Sequence, residues 1–111
     1  MKHFLFRLFQ KDQLDDVLRL LEKYSVKDLD TARVYPNGEK SIGELNLPAS
    51  YTIHTKAVTF QDRSLSKDSI LESIGESLSL LKTDKVETFY LHCPDPTTPI
   101  EETLEAVDEL Y

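Results

Sequence analysis

Cysteine is nearly absent. Cys93 stands alone among 111 residues, so no disulfide can form within the chain, and a reducing, cytoplasmic compartment is the simpler expectation. Glycine is scarce as well, and Gly38, Gly43 and Gly75 are isolated from one another, which excludes a glycine-rich phosphate loop. No metal site is expected, because ligand-type side chains never fall at metal-binding spacing. Clustered positive charge is missing too. The 13 Lys and Arg are scattered against 20 Asp and Glu, giving a net charge of −7, so neither a nucleic-acid backbone nor an anionic membrane surface is an expected partner. No apolar run is long enough to span a bilayer. The opening Met1-Lys2-His3-Phe4-Leu5-Phe6-Arg7 is basic and then apolar, but Arg7 interrupts the run and no small-residue cleavage site follows, which argues against a signal peptide.

What is present is an ordinary globular composition, 40% hydrophobic and 30% charged, in a length that suits one domain over residues 1–111 with a core of limited size. Aromatic and apolar residues predict a strand over 4–9. Leu14, Val17, Leu18 and Leu21 recur at helical spacing and predict a helix over about 13–24, with Asp12 as its cap. A short strand over 26–31 leads into a loop holding Pro36, Asn37 and Gly38, then a brief helix over about 39–45 with Ile42 and Leu45 on its buried side. A strand over 51–56 follows. Ser66 is placed to cap a helix reaching about residue 82, whose apolar stripe is Ile70, Ile74, Leu78 and Leu81. After a strand over 86–92, Pro94 and Pro96 each remove a ladder donor and end the pairing. Thr98-Pro99-Ile100-Glu101 reads as a capping box opening a helix whose core-facing stripe is Leu104, Val107, Leu110 and Tyr111. Without a glycine or a basic last turn, that helix reads as interrupted rather than terminated.

The alternation βαβαβαβα predicts an α/β fold with helices as crossovers between parallel strands. Side-chain parity adds a second constraint, since residues two apart in a strand share a face. Thr52, His54 and Lys56 then share one face, and with His92 on that same side Thr88 and Tyr90 join it. In both strands the more apolar residues, such as Ile53, Phe89 and Leu91, lie opposite. One sheet face thus meets helices and the other lines a polar-mouthed interior, as in a (β/α)8 barrel. Active sites of such barrels gather at the C-terminal ends of strands. Asp30, Lys56 and His92 hold that position on three successive strands, and Tyr35 lies on the loop above the first.

Asp30-Thr31-Ala32 with Tyr35 five residues after the aspartate, then Thr55-Lys56, then Phe89-Tyr90-Leu91-His92, resembles the Asp, Tyr, Lys, His tetrad of the aldo-keto reductases. The flanking Cys93-Pro94-Asp95 and Thr98-Pro99-Ile100-Glu101-Glu102-Thr103-Leu104 resemble the aflatoxin-aldehyde reductase branch most. The resemblance runs from about Leu14 onward and implies the N-terminal half of a (β/α)8 TIM barrel, about four βα units, since a complete barrel takes about 250 residues. It implies NADPH-dependent reduction of a small aldehyde or ketone, with the nicotinamide cofactor supplying hydride and Tyr35 protonating the carbonyl oxygen. A free tyrosine has a pKa near ~10, so a neighbouring Lys56 ammonium is expected to favour the phenolate. Asp30 would pair with Lys56 and lie against the cofactor, and His92 would orient the carbonyl. Preference for NADPH over NADH follows from the resemblance alone.

Two alternatives remain open at this point. A half-barrel leaves strand edges unpaired and its inner face open, which suits a non-catalytic remnant or interaction module that self-associates. A hydrolytic (β/α)8 enzyme using Asp30 and another carboxylate is a further reading, which Lys56 and Tyr35 do not favour. His54 is expected to be a core or barrel-floor histidine. Cys93 and His92, adjacent in one strand, point to opposite faces and do not form a nucleophilic dyad.

Overall fold

The structure, a computed structural model, describes residues 2–5, 11–59 and 64–111. Expected strand residues 6–9 and loop residues 60–63 lie outside that set. The elements run β1 (His3–Leu5), α1 (Lys11–Lys23), β2 (Asp28–Asp30), α2 (Gly38–Glu44), a 3-10 turn (Leu47–Ala49), β3 (Thr52–Ala57), α3 (Lys67–Leu81), β4 (Thr88–Leu91) and α4 (Ile100–Leu110). All four strands are parallel, in the order β1-β2-β3-β4. The expected alternation is therefore present, with β2 and β4 shorter than the apolar runs suggested.

Local chemistry sets several of the ends. The Ser66 hydroxyl accepts from the Ser69 N–H at 3.4 Å and caps α3, as its position predicted. Past α1, Ser25 adopts a φ of 55° while the Val26 N–H bonds back to the Leu21 carbonyl, a left-handed helix exit. Asn37 and Asn46, with φ of 57° and 55°, take the left-handed positions on either side of α2, where asparagine is tolerated. Two caps differ from expectation. Asp12 lies inside α1, which begins at Lys11. The capping box at Thr98 does not form, because the N-cap residue is Pro99 and the Thr98 hydroxyl donates to Asp95 Oδ2 at 2.6 Å instead.

The parallel register pairs His54 with Thr88 and Lys56 with Tyr90, so the polar residues of neighbouring strands align on one face. On the other face Leu29 and Ile53 pack with Leu21, Ile42, Leu47 and Leu81, while Ala57 packs with Leu65, Ile70 and Ala106. Complete burial of a side chain such as Ile42 or Ile70 is worth about 1.5–3 kcal/mol. Gly43 lets α2 meet α3 closely, since a Cβ there would lie 2.0 Å from the Leu80 carbonyl oxygen.

Three packing expectations are corrected. Leu45 caps the end of α2 and is exposed. The buried side of α3 includes Ser73 and Ser77 alongside Ile70, Ile74 and Leu81, while Leu78 is only partly covered. In α4 the buried residues are Thr103 and Ala106, whereas Leu104, Val107, Leu110 and Tyr111 are exposed. The small side of α4 faces inward because Thr103 donates to the Leu65 carbonyl at 2.8 Å, which draws the helix against the loop before α3. Among the described residues, no helix is long and apolar enough to cross a membrane.

Candidate active site

The site is built at the C-terminal ends of β2, β3 and β4. Asp30 is the last residue of β2 and Lys56 the penultimate residue of β3, with their side chains on the same face. The Lys56 ammonium donates to both Asp30 carboxylate oxygens, at 2.8 and 2.9 Å, and to the Thr31 carbonyl at 2.7 Å. Three charge-assisted bonds leave this ammonium little freedom. Its nitrogen lies 5.4 Å from the Tyr35 ring centroid and 5.6 Å from that of Tyr90, within cation–π range of both.

Tyr35 is carried on the loop between β2 and α2. Two turns shape that loop, closed by the Tyr35 N–H on the Ala32 carbonyl and the Gly38 N–H on the Tyr35 carbonyl, each at 3.1 Å. The Tyr35 and His92 rings meet edge to face, with centroids 6.0 Å apart and planes at 89°. His92 is the first residue beyond β4. Its burial, and secondly the Lys56 ammonium, hold its pKa below the ordinary histidine value, against a smaller opposing effect of Asp30. The imidazole is therefore neutral at neutral pH and presents one N–H donor.

The four residues picked out at the strand ends thus come together in one chain of contacts, from Asp30 to Lys56 to Tyr35 to His92. Below them, buried His54 bonds Thr88 Oγ1 at 3.0 Å through Nδ1 and Asp28 Oδ1 at 2.9 Å through Nε2, forming a polar floor.

Two contributors were not picked out from the sequence. Tyr90 had the correct parity, sharing the His92 face, but nothing marked its ring as a neighbour of Lys56. Glu39 marked only the start of a brief helix and lies in the first turn of α2. In the structure it is 2% exposed and accepts from the Thr55 hydroxyl at 2.6 Å. Burial raises its pKa, opposed first by the Thr55 bond.

The family profile described as aldo/keto reductase matches residues 7–111, which extends the likeness upstream of Leu14. The chain is 36% identical to the oxidoreductase sirO of Leptosphaeria maculans over 109 residues, 96% of this chain and 33% of that protein. It is 41% identical to aflatoxin B1 aldehyde reductase member 2 of Mus musculus over 91 residues, 76% of this chain and 25% of that protein. A crystal structure provisionally assigned as a 2,5-diketo-D-gluconic acid reductase B superposes with a TM-score of 0.76 at 26% identity, covering 97% of this chain and 39% of that one. The fold is that of a (β/α)8 barrel, of which these four βα units form the N-terminal half. The chain belongs to the aldo/keto reductase family. It spans about a quarter to a third of the length of these curated relatives.

Proposed function

We propose that this chain supplies the proton-donating part of an NADPH-dependent carbonyl reductase site, one that converts aldehydes or ketones to alcohols. The observation that carries the proposal is the Lys56 ammonium fixed on Asp30 against the ring of Tyr35, which in turn meets His92. Tyr35 gives its phenolic proton to the carbonyl oxygen, and Lys56 offsets the negative charge that then develops on the phenol. Asp30 holds Lys56 in place and would lie against the bound cofactor. His92, kept neutral, donates its N–H to the same carbonyl oxygen and fixes the direction of approach.

The donor set suits the reacting end of a nicotinamide cofactor: a phenol, a neutral imidazole and a compensated ion pair around an uncharged carbonyl. When bound, the cofactor supplies the hydride that the carbonyl carbon receives. The phosphate end is a different matter. Near this rim Lys56 is committed to Asp30, and Arg33 faces Glu39 and Glu76, so the cations that grip the cofactor phosphates lie outside this group. The NADPH preference is carried over from the family. A cytoplasmic location accords with the single cysteine.

Turnover of NADPH with a small aromatic aldehyde by a full-length protein that contains this segment tests the assignment. Tyr35→Phe should lower turnover by about 10²- to 10⁴-fold, the usual contribution of a general acid, while cofactor binding followed by fluorescence is unchanged. Wild-type turnover in that variant would sink the assignment.

A second reading is favoured by a separate observation. Leu104, Val107 and Leu110 are exposed on α4, and beside them runs an apolar groove lined by Leu71, Leu78 and Phe89. This surface supports a non-catalytic role in which two copies of the chain associate through the open half-barrel. A folded chain that binds no NADPH and sediments as a dimer would favour it; a monomer that binds NADPH would exclude it.

A further inference from the structure

A glutamate in the first turn of a helix is ordinarily free to face water, where it costs nothing. Glu39 instead lies almost completely buried, on the side of the sheet opposite the candidate active site. Burying a carboxylate is expensive unless its partners compensate, so the identity of those partners carries information.

Ser77 of α3 lies against the carboxylate, and two further partners belong to segments that present a site residue. Thr55, itself fully buried, donates its hydroxyl to Glu39 Oε1 at 2.6 Å, and the next residue along β3 is Lys56. Because adjacent strand residues point to opposite faces, this bond grips β3 from behind at the point where Lys56 projects in front. Arg33 Nε lies 3.9 Å from Glu39 Oε2 and donates to Glu76 Oε2 at 3.4 Å. Arg33 and Glu39 flank Tyr35 on either side, so their pairing closes the base of the loop that carries the phenol. The intervening backbone is already turned by the bonds of Tyr35 to Ala32 and of Gly38 to Tyr35.

We propose that Glu39 is a positioning residue for the Tyr35–Lys56 pair, clamping the loop that bears the phenol to the strand that bears the ammonium. This deepens the role given to Tyr35 above and rests on it. Glu39 accepts from Thr55 and pairs with Arg33. It acts by fixing where the Tyr35 ring stands relative to Lys56 and His92, a geometry that proton transfer to a carbonyl oxygen requires.

The test reads the site directly, by nuclear Overhauser contacts in the chain labelled at tyrosine and histidine. The Tyr35–His92 ring contact reports the clamp, and the His54–Thr88 contact on the floor reports folding. Glu39→Ala should lose the first contact and keep the second. Glu39→Gln, whose amide oxygen still accepts the Thr55 hydroxyl, should keep both, a rescue that a mere volume effect of the alanine would not require of a polar side chain. If Glu39→Ala loses the floor contact as well, Thr55→Val decides in its place, since it deletes the same bond at nearly the same shape. Persistence of the Tyr35–His92 contact in the deciding variant overturns the proposal. Failure of the catalytic assignment looks different: Tyr35→Phe would turn over aldehyde normally while the contact in Glu39→Ala was still lost.

Discussion

Lys56 reaches across from β3 to Asp30 at the end of β2 and holds both of its carboxylate oxygens, at 2.8 and 2.9 Å. The pair is partly shielded, with side-chain exposures of 15% and 25%. Removing one partner of a fully buried pair costs about 3–5 kcal/mol, whereas exposed pairs contribute about 0–1 kcal/mol. Lys56→Met should therefore destabilise the chain by an intermediate amount, about 1–3 kcal/mol, read from urea unfolding. Adding Asp30→Asn should recover part of that loss, because the stranded carboxylate charge is then gone. Strictly additive effects of the two substitutions would contradict a direct coupling.

The same substitution should be visible at His92. Lys56 contributes to holding the His92 pKa below its ordinary value, second to burial. In Lys56→Met the His92 ring should titrate at higher pH than in the wild type, yet still below a free histidine, since desolvation persists. Histidine ring resonances followed across the titration measure it. An unchanged midpoint would mean that Lys56 exerts no field at His92.

Two carboxylates should bend the pH dependence of stability in opposite senses. Asp95 accepts from the Leu65 and Thr97 N–H groups and from the Thr97 and Thr98 hydroxyls, and these bonds hold its carboxyl well below the usual range. Its folded-state pKa is depressed, so its contribution is present above the unfolded-state pKa and is lost as pH falls toward the folded one. Asp95→Asn should flatten the acid limb of the stability profile. For Glu39 the folded-state pKa is raised, chiefly by burial. Its contribution is complete below the unfolded-state pKa and is lost as pH rises through the folded one. Glu39→Gln should remove that decline and compare best with the wild type at neutral pH. Urea midpoints between about pH 2 and 8 measure both slopes.

Gly43 and Gly75 should answer to alanine with opposite signs. A Cβ at Gly43 would meet the Leu80 carbonyl oxygen at 2.0 Å, a backbone atom that cannot swing aside, so α2 and α3 must part. The cost should be about 1–3 kcal/mol or more, as in other overpacked sites. At Gly75, inside α3, a Cβ would meet nothing within 4 Å. There alanine should stabilise by about 0.5–1 kcal/mol, because it restricts the unfolded chain and favours the helix. Thermal unfolding of the two variants gives the comparison; a stable Gly43→Ala would show that the helix contact is softer than the geometry implies.

Much of the fold was legible because its signals are local. The 3.6-residue recurrence of Ile70, Ile74 and Leu81 marked α3, and Ser66 marked its start, since a hydroxyl at that position meets the free N–H groups whatever the tertiary context. The period of two in β3 and β4 separated Lys56 and His92 from Ile53 and Leu91 for an equally local reason. The errors fell where a neighbour decides. The outward stripe of Leu104, Val107 and Leu110 obeys helical spacing perfectly well, but spacing cannot say which side of α4 is drawn against Leu65. Thr98 could have capped α4, yet Asp95 competed for its hydroxyl.

The sequence by itself determined which side chains share a face and which stand at strand ends, because alternation along a strand follows from backbone stereochemistry alone. It also carried Asp30, Tyr35, Lys56 and His92 in the order that the family resemblance needs. Only the tertiary structure decided that Lys56, 26 positions from Asp30, closes on its carboxylate, and that Glu39 leaves water to grip Thr55. Distances between strands depend on parallel register and on how closely α2 packs against α3, and those are properties of the assembled chain rather than of any one segment.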